Sequence, residues 1–272
     1  MAHTEFSLVV TTYNNAATLA SCLQSVRGAA EILVLDSGSQ DSSRDIARQV
    51  GARIEVQPFQ GYGPQKQAAV NMASHDWVLL LDADEVLSAS LAREIELLMH
   101  RGPQHDAYRV KRREQLFWRW QHPRTKFVEA IRLFDRRQAR LSHEAVHAGV
   151  VASPPVGELH SDLLHFGETD VHTKVSRLNN YSSGMARERL LQRPKYLKLK
   201  MLLAPCWAFW REYLLRRQYL NGWAGFIAAR SSAYYTLLKY AKVFDLQQER
   251  HAALMDSRPV HYRAPGKSSD ES

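Results

Sequence analysis

The first third of the chain alternates between short β-branched or aromatic runs and segments of helical periodicity. Each run is followed by polar or glycine-containing residues and then by an amphipathic stretch. The runs cover residues 6–13, 31–36, 53–56 and 77–81. Repeated strand–helix units favour an α/β fold in which a mostly parallel sheet is flanked by helices on both faces. In such sheets, ligands bind beyond the carboxyl ends of the strands.

Acidic residues follow the fourth run at the point where it ends. The apolar residues 79–81 lead directly into Asp82, Ala83 and Asp84, so that one small residue separates two carboxylates. Side chains two apart on a strand point to the same side, and both carboxylates could then face one ion. Mg²⁺ sites often combine one or two carboxylates with substrate phosphates. The motif alone leaves two interpretations, a nucleotide-diphosphate site or a helix cap or turn.

Four segments together resemble the nucleotide-sugar glycosyltransferases of family 2, which have the GT-A fold. The segments are Val9-Val10-Thr11-Thr12-Tyr13-Asn14, Val34-Leu35-Asp36-Ser37-Gly38-Ser39-Gln40-Asp41, Gly61-Tyr62-Gly63-Pro64-Gln65-Lys66 and Leu81-Asp82-Ala83-Asp84-Glu85. Ser142-His143-Glu144 and residues 157–165 are similar to the bacterial lipopolysaccharide core glucosyltransferases that extend the inner-core heptose. The resemblance covers about residues 5–166 and implies a Rossmann-like, mostly parallel sheet.

The resemblance implies a donor site at the strand ends. Thr11, Tyr13 and Asp36 would hold the uridine of a UDP-sugar, and Lys66 would lie near the diphosphate as a countercharge. A different interpretation of Asp36 stays open, since an aspartate two residues before Gly38 also suits a turn cap.

The resemblance also implies a divalent metal cofactor, Mg²⁺ or Mn²⁺. Asp82 and Asp84 would bind the metal or reach the diphosphate through it, and His165 matches the position of a third metal ligand. A metal there stabilises the charge that develops as the bond to phosphate breaks. The alternative for His165 is a strand-end histidine that is hydrogen-bonded to the backbone.

An inverting transfer needs a base for the acceptor hydroxyl, and Glu144 is the candidate. The same stretch matches the zinc-protease pattern, with His143 and His147 four apart around a glutamate. That chemistry requires a helix, and the glycine, valine and proline residues of 149–155 disfavour one. In a strand, the two histidines would lie about 13 Å apart, too far for one zinc.

The charge of the chain points to an anionic partner. Its formal net charge is +8 and its isoelectric point about 9.5. Basic residues between 109 and 140 interleave with aromatic ones; they are Arg112, Arg113, Arg119, Arg124, Lys126, Arg132, Arg136 and Arg137. We interpret this block as a surface for an anionic, lipid-linked glycan acceptor. A solvated charged face and a nucleic-acid surface are the alternatives, the latter the less favoured.

Three parts are predicted along the chain: a GT-A catalytic domain over residues 1–170, a basic and aromatic helical extension over 171–257, and a disordered tail over 258–272. The apolar run 201–210 is about half the length needed to span a bilayer. It suits either a segment in the membrane interface or the core of a helical subdomain. No signal peptide is visible and only two cysteines occur, which predicts a cytoplasmic protein with reduced thiols. Together with the basic and aromatic helices, the family resemblance implies a peripheral position at the inner face of the bacterial inner membrane.

The sequence therefore predicts a metal-dependent, inverting glycosyltransferase. Its expected reaction moves glucose or another hexose from a UDP-sugar to a lipopolysaccharide inner-core acceptor. Transfer to a polyprenyl phosphate is one alternative, and a non-catalytic module that binds polyanions or membranes is another.

Overall fold

The computed structural model describes residues 4–142, 149–192 and 194–255. The first part contains β1 (Phe6–Thr12), α1 (Ala16–Ser25), β2 (Glu31–Asp36), α2 (Ser43–Gln49), β3 (Arg53–Val56), α3 (Tyr62–Met72), β4 (Trp77–Asp82), β5 (Glu85–Leu87) and α4 (Ala89–Arg101). The strands that follow are β6 (Ala107–Leu116), β7 (Arg119–Trp120), β8 (Val128–Asp135), β9 (Ala139–Leu141), β10 (Val150–Ala152) and β11 (Gly157–Glu168). The chain then becomes helical, with α5 (Val171–Leu191), α6 (Leu197–Trp210), a π-helical turn (Arg211–Leu215), a 3₁₀ turn (Gln218–Asn221) and α7 (Gly222–Met255).

One large mixed sheet organises the first two thirds of the chain. Its strand order is β3-β2-β1-β4-β8-β6-β11-β5, with β7 paired to β6. The pairs among β3, β2, β1 and β4 are parallel, as predicted, whereas β8 is antiparallel to both β4 and β6. The α/β fold with a C-terminal helical extension is thereby confirmed.

The register of the parallel strands brings the predicted site residues to one edge. Thr12 lies opposite Asp36 on β2, and Thr11 lies opposite Asp82 on β4. Since parallel strands end at the same edge of a sheet, three of the motifs found in the sequence meet there.

Helices cover both faces of the sheet because its central strands are apolar on both sides. Leu8 and Val10 of β1 pack in one core with α1, α2 and α4, while Val9 packs in a second core with α3. Successive strand residues point to opposite faces, so a continuous apolar run requires cover on each. The apolar runs 8–10 in β1 and 78–81 in β4 are thus explained by two-sided burial.

The long strand β11 joins the site to the distal half of the sheet. It pairs in parallel with β6 and antiparallel with β5, and it places His165 opposite both Glu114 and Glu85. The register shifts just after His165, which is a β-bulge or irregularity of the kind often found beside functional sites. His165 therefore reaches the end of β4 through strand pairing and not through proximity in the sequence.

The C-terminal helices attach to the sheet at the β6–β7 hairpin. Asn221 is fully buried; its side-chain oxygen accepts a hydrogen bond from the His122 backbone N–H at 2.7 Å, and its carbonyl accepts one from Arg119 at 3.2 Å. Leu116 and Phe117 pack against Ala224 of α7. Within the described part of the chain, no helix is long and apolar enough to cross a membrane.

Candidate active site

The two carboxylates of the acidic motif lie in different local structures. Asp82 is the last residue of β4, whereas Asp84 lies in the turn that leads to β5. The side chain of Glu85 closes this turn by accepting a hydrogen bond from the Asp82 backbone N–H at 3.0 Å. Side-chain alternation along a strand therefore does not set the orientation of Asp84; the turn does.

Asp82 contacts two cations. Its Oδ1 is ion-paired with Lys66 from the first turns of α3, and its Oδ2 accepts a hydrogen bond from Arg132 Nη2 of β8 at 3.1 Å. Burial acts to raise the pKa of the Asp82 carboxyl, but the charges of Lys66 and Arg132 outweigh it and hold that pKa well below its ordinary value. Asp82 is therefore ionised at neutral pH.

Asp84 and His165 form a second pair, with Asp84 Oδ1 and His165 Nε2 3.4 Å apart. His165 Nδ1 contacts Glu114. Burial opposes a charge on His165, but the hydrogen bonds and charges of Asp84 and Glu114 prevail and raise its pKa to about 10. Burial also acts to raise the pKa of Asp84, but His165 outweighs it and lowers that pKa. The imidazole is accordingly protonated at neutral pH, and a metal bound at Nε2 would displace that proton.

Further buried charges link these two pairs. Glu85 is fully buried and accepts a 2.5 Å hydrogen bond from Arg132, while Arg112 lies 3.6 Å from Glu85 and 2.8 Å from Glu114. Charges of opposite sign therefore alternate through eight side chains, which we call the ionic chain. Its members, in order of contact, are Lys66, Asp82, Arg132, Glu85, Arg112, Glu114, His165 and Asp84.

The Asp84–His165 pair has the donor atoms and spacing that suit a divalent cation. Two adjacent ligands of an octahedral Mg²⁺ lie about 3 Å apart, close to the 3.4 Å observed. Both oxygens of Asp82 already contact cations, which makes it a poorer direct ligand. Among the described residues, no group of three or more His, Cys, Asp and Glu is arranged to hold a metal ion. A metal at Asp84 and His165 would therefore need oxygen ligands from a substrate.

One carboxylate oxygen of Asp36 caps the turn after β2, and the other has no hydrogen-bond partner. Its Oδ1 accepts hydrogen bonds from the backbone N–H groups of Gly38 at 3.0 Å and Ser39 at 2.8 Å, so the turn-cap interpretation is confirmed. Gly38 has φ +94°, a conformation that favours glycine. The Asp36 side chain is fully buried, and its Oδ2 has no hydrogen-bond partner. Because unpaired buried oxygens are costly, this atom is suited to a donor group from a ligand.

The loops that follow β1 and β2 are tied together by side chains that the sequence analysis did not select. The Asn14 backbone N–H donates to Ser39 Oγ at 2.9 Å, and Asn14 Oδ1 accepts from the Gln40 backbone N–H at 2.8 Å. Asn14 has a positive φ of 52°, which asparagine tolerates better than most residues. Thr11 lies at the end of β1, and the ring of Tyr13 is 57% exposed beside this junction.

Much of the predicted basic block has internal partners. Arg136 donates to the carbonyls of Val70, Asn71 and Ala73 at the end of α3, and Arg137 pairs with Asp135. Arginine near a helix C-terminus satisfies carbonyls that have no partner within the helix. The prediction of one acceptor-facing arginine surface does not hold for Arg136, nor for Arg112 and Arg132 of the ionic chain, whereas Arg137 stays 60% exposed and its role stays a prediction.

The proposed base, Glu144, lies outside the described residues, as do His143 and His147 of the zinc-protease pattern and the predicted tail over 258–272. The sequence analysis missed Glu85 and Glu114 as parts of the site. Glu85 directly follows Asp84, and Glu114 lies two residues after Arg112, on the same side of β6. The available signals were a third acidic residue directly after Asp84 and the closely spaced opposite charges of residues 111–114.

Comparison with known proteins identifies the family of this chain. The family model described as Glycosyl transferase family 2 matches residues 7–153, more than half of the 272-residue chain. The chain therefore belongs to the family 2 glycosyltransferases, and it is an enzyme of that class.

Relatives match nearly the whole chain. It is 30% identical to the lipopolysaccharide core biosynthesis glycosyltransferase LpsC of Rhizobium meliloti, over 90% of this chain and 92% of the relative. It is 28% identical to an uncharacterised glycosyltransferase of Rickettsia typhi, over 95% of this chain and 93% of that protein. A solved structure of glucosyl-3-phosphoglycerate synthase from Mycobacterium tuberculosis, in complex with Mn²⁺ and UDP-glucose, aligns at a TM-score of 0.34 and 24% identity. That alignment covers 41% of this chain and 44% of the solved chain.

Replacing Arg132 tests whether the ionic chain stabilises the fold. Arg132→Met should lower the free energy of unfolding by about 3–5 kcal/mol, because it leaves the buried Glu85 carboxylate without its closest cation. Urea denaturation followed by circular dichroism measures the loss. Arg140→Met, on the exposed Arg140 of β9, should stay within about 0.5 kcal/mol of the parent. A loss at Arg132 below about 1 kcal/mol, as for a surface ion pair, would contradict the interpretation.

Proposed function

We propose that this glycosyltransferase moves a hexose, with glucose the first choice, from a UDP-sugar to the inner core of a lipopolysaccharide precursor. Transfer would proceed with inversion and with a divalent metal. The observation that carries the proposal is the Asp84–His165 pair, which stands beside Asp82 and Lys66 where β1, β2 and β4 end. The similarity to LpsC, whose name refers to lipopolysaccharide core biosynthesis, supports the class of acceptor.

The donor base would bind at Asp36. The imide N–H of uracil is a hydrogen-bond donor, and Asp36 Oδ2 is a buried acceptor without a partner. The exposed ring of Tyr13 offers an aromatic face for the base, and Thr11 offers a hydroxyl at the end of β1. These three residues are the uridine site that the resemblance implies.

The diphosphate would lie between Lys66 and the Asp84–His165 pair. Lys66 supplies positive charge from the start of α3, a helix end that itself favours anions. Asp84 and His165 would hold the metal, which supplies positive charge where the departing diphosphate becomes more negative. Asp82 contacts Lys66 with one oxygen and Arg132 with the other. It would thereby hold Lys66 toward the diphosphate and lie close to the metal.

The acceptor would enter from the side of the C-terminal helices. A cavity of about 270 Å³ lies between β6, β8 and the helices α5 and α7, and Glu114 of the ionic chain lines it together with Lys126, Lys174 and Arg216. Positive groups in this wall suit an anionic glycan. Glu144 is the proposed base that takes the proton of the acceptor hydroxyl.

In this proposal, residues 1–170 form the catalytic domain and residues 171–257 complete the acceptor side. We place the reaction in the cytoplasm, at the inner face of the inner membrane, where a UDP-sugar and a lipid-linked acceptor would meet. Transfer to a polyprenyl phosphate is the second candidate, and a polyprenyl phosphate offered in parallel with a lipopolysaccharide precursor distinguishes the two. Since the chain belongs to an enzyme family, the non-catalytic binding module is set aside.

Removing the Asp84 carboxylate tests the proposed reaction. Asp84→Ala should lower transfer from UDP-glucose to a heptose-terminated lipopolysaccharide precursor by roughly 10²-fold or more, because the developing charge loses its counterion. Product mass spectrometry across a panel of UDP-hexoses, with Mg²⁺, Mn²⁺ or a chelator, measures the rate and identifies the donor.

The exposed Asp45, which pairs with Arg48 on α2, provides the control variant Asp45→Asn, for which activity should be unchanged. Parent-level activity of Asp84→Ala, or full activity of the parent in chelator, would remove the metal assignment. The anomeric configuration of the product, read by NMR, separately tests inversion.

Asp36→Asn tests the uridine site without disturbing the turn. The amide oxygen can still accept hydrogen bonds from Gly38 and Ser39. The NH₂ group then takes the place of the free oxygen, so that two donors, this NH₂ and the imide N–H of uracil, face each other. UDP affinity in calorimetry should fall by about tenfold or more. Asp45→Asn should bind UDP as the parent does. Unaltered UDP affinity of Asp36→Asn would place the base elsewhere.

Glu144→Gln tests the proposed base, because glutamine keeps the shape of the side chain but cannot take a proton. Transfer should fall by roughly 10²-fold or more while the affinity for UDP stays near that of the parent. Turnover close to the parent's with a saturating acceptor would show that another group acts as the base.

A further inference from the structure

Helix α6 exposes an apolar surface on the side opposite to its buried side. Leu197 packs with Val243 of α7, and Ala208 is also buried. Five exposed residues follow the helical spacing i, i+4, i+7, i+11 and i+15 along α6 and into the π-helical turn. They are Leu199, Leu203, Cys206, Trp210 and Leu214, which we call the exposed stripe.

The exposed stripe is part of a larger apolar area. Its leucines and Trp210 are each 50% to 60% exposed, and exposed apolar side chains flank them; these are Leu202, Trp207, Leu215 and Trp223. Single apolar residues on a surface need no explanation, whereas a contiguous group of this size marks an interaction site. A helix that is apolar on both its inner and outer sides is expected to have cover on both.

The charges around this area identify its partner. Residues 194–223 contain six cations, Lys195, Lys198, Lys200, Arg211, Arg216 and Arg217. Their only carboxylate is Glu212, which is buried and lies 3.0 Å from Arg211 and 3.6 Å from Arg216. Five of the six cations are exposed, so the exposed stripe of leucine and tryptophan belongs to a strongly basic segment, whose six cations we call its margin. Tryptophan and basic residues together are the composition of segments that lie in the interface of an anionic bilayer.

We infer that the exposed stripe docks into the headgroup region of an anionic phospholipid bilayer, with α6 lying along the membrane surface. α6 has 14 residues, and no helix among the described residues is long and apolar enough to cross a membrane. A second copy of the chain fits less well, because two margins of like charge would face each other. The apolar surface continues onto α7 through a hollow of about 360 Å³, lined by Pro205, Tyr234 and Leu237 together with Arg230 and Ala233.

Docking would also orient the active site. Asn221 fixes the start of α7 to the β6–β7 hairpin, and β6 carries Arg112 and Glu114 of the ionic chain. The exposed stripe thus has a set position relative to the reaction centre. The inference extends the proposed lipid-linked acceptor and rests on the proposed function for its purpose, although membrane binding itself does not require catalysis.

Co-sedimentation of the full chain with vesicles tests the inference. Vesicles of phosphatidylcholine alone and of phosphatidylcholine with phosphatidylglycerol are compared at low and high salt. The parent should bind the anionic vesicles at low salt and more weakly at high salt, because salt screens the charges of the margin. Trp fluorescence should shift to shorter wavelength on binding, as indole groups leave water.

Two double variants test whether vesicle binding depends on the exposed stripe or on exposed apolar residues in general. Leu203→Ser with Trp210→Ser should weaken binding to anionic vesicles by about tenfold or more. Val56→Ser with Leu97→Ser removes two exposed apolar residues of β3 and α4 and should bind as the parent does. Circular dichroism and the melting temperature of each variant verify that it is folded.

Asp84→Ala should bind vesicles normally even if it is inactive, so failure of the proposed reaction and failure of docking are distinguishable. Three results would overturn the inference: no binding of the parent to anionic vesicles, equal binding of both double variants, or a dimer that only the Leu203/Trp210 variant loses, detected by analytical ultracentrifugation. The last result would assign the surface to a second copy.

Discussion

Alternating buried charge is the constraint on which the arrangement of this molecule depends. Glu85 is fully buried and Arg132 nearly so, and neither is tolerable in the interior without the other. Their contact fixes β8 beside the turn after β4, and the contacts of Arg112 and His165 extend that requirement to β6 and β11. The five strands β4, β5, β6, β8 and β11 and the start of α3 therefore meet at one place, because their buried charges need partners of opposite sign. The same contacts hold Asp84 and His165 close together before any substrate arrives.

The sequence sufficed for the part of the fold whose signals are local. Strands β2 and β3 were predicted to the residue, and β1 and β4 to within one residue, because apolar runs end sharply at polar loops. The strands after residue 107 were not predicted. β6 contains five charged residues in ten; Arg112 and Glu114 reach partners in the ionic chain, while Ala107, Tyr108, Val110 and Leu116 pack in the apolar cores. Pattern alone does not distinguish such a strand from a solvated loop.

The site shows the same division. Its members at the ends of β1, β2 and β4 came from motifs, whereas Glu85, Glu114 and the pairing roles of Arg112 and Arg132 depend on register between strands far apart in sequence. Asp36 was given two competing interpretations, and the structure assigns one oxygen to the turn and leaves the other free. The number of arginines between residues 109 and 140 overstated the charge available to an acceptor. The sequence alone does not show that carbonyls and carboxylates such as Ala73 and Asp135 lie beside them.

The two outermost strands of the large sheet, β3 and β5, have only four and three residues. A sheet edge recruits a strand from another chain through its row of unpaired N–H and C=O groups, and short edges offer few of them. β3 adds an exposed arginine, Arg53, which further discourages such pairing. Growth of the sheet between molecules is thereby disfavoured at both ends. Short, charged edges of this kind are a means by which sheet proteins avoid edge-to-edge aggregation.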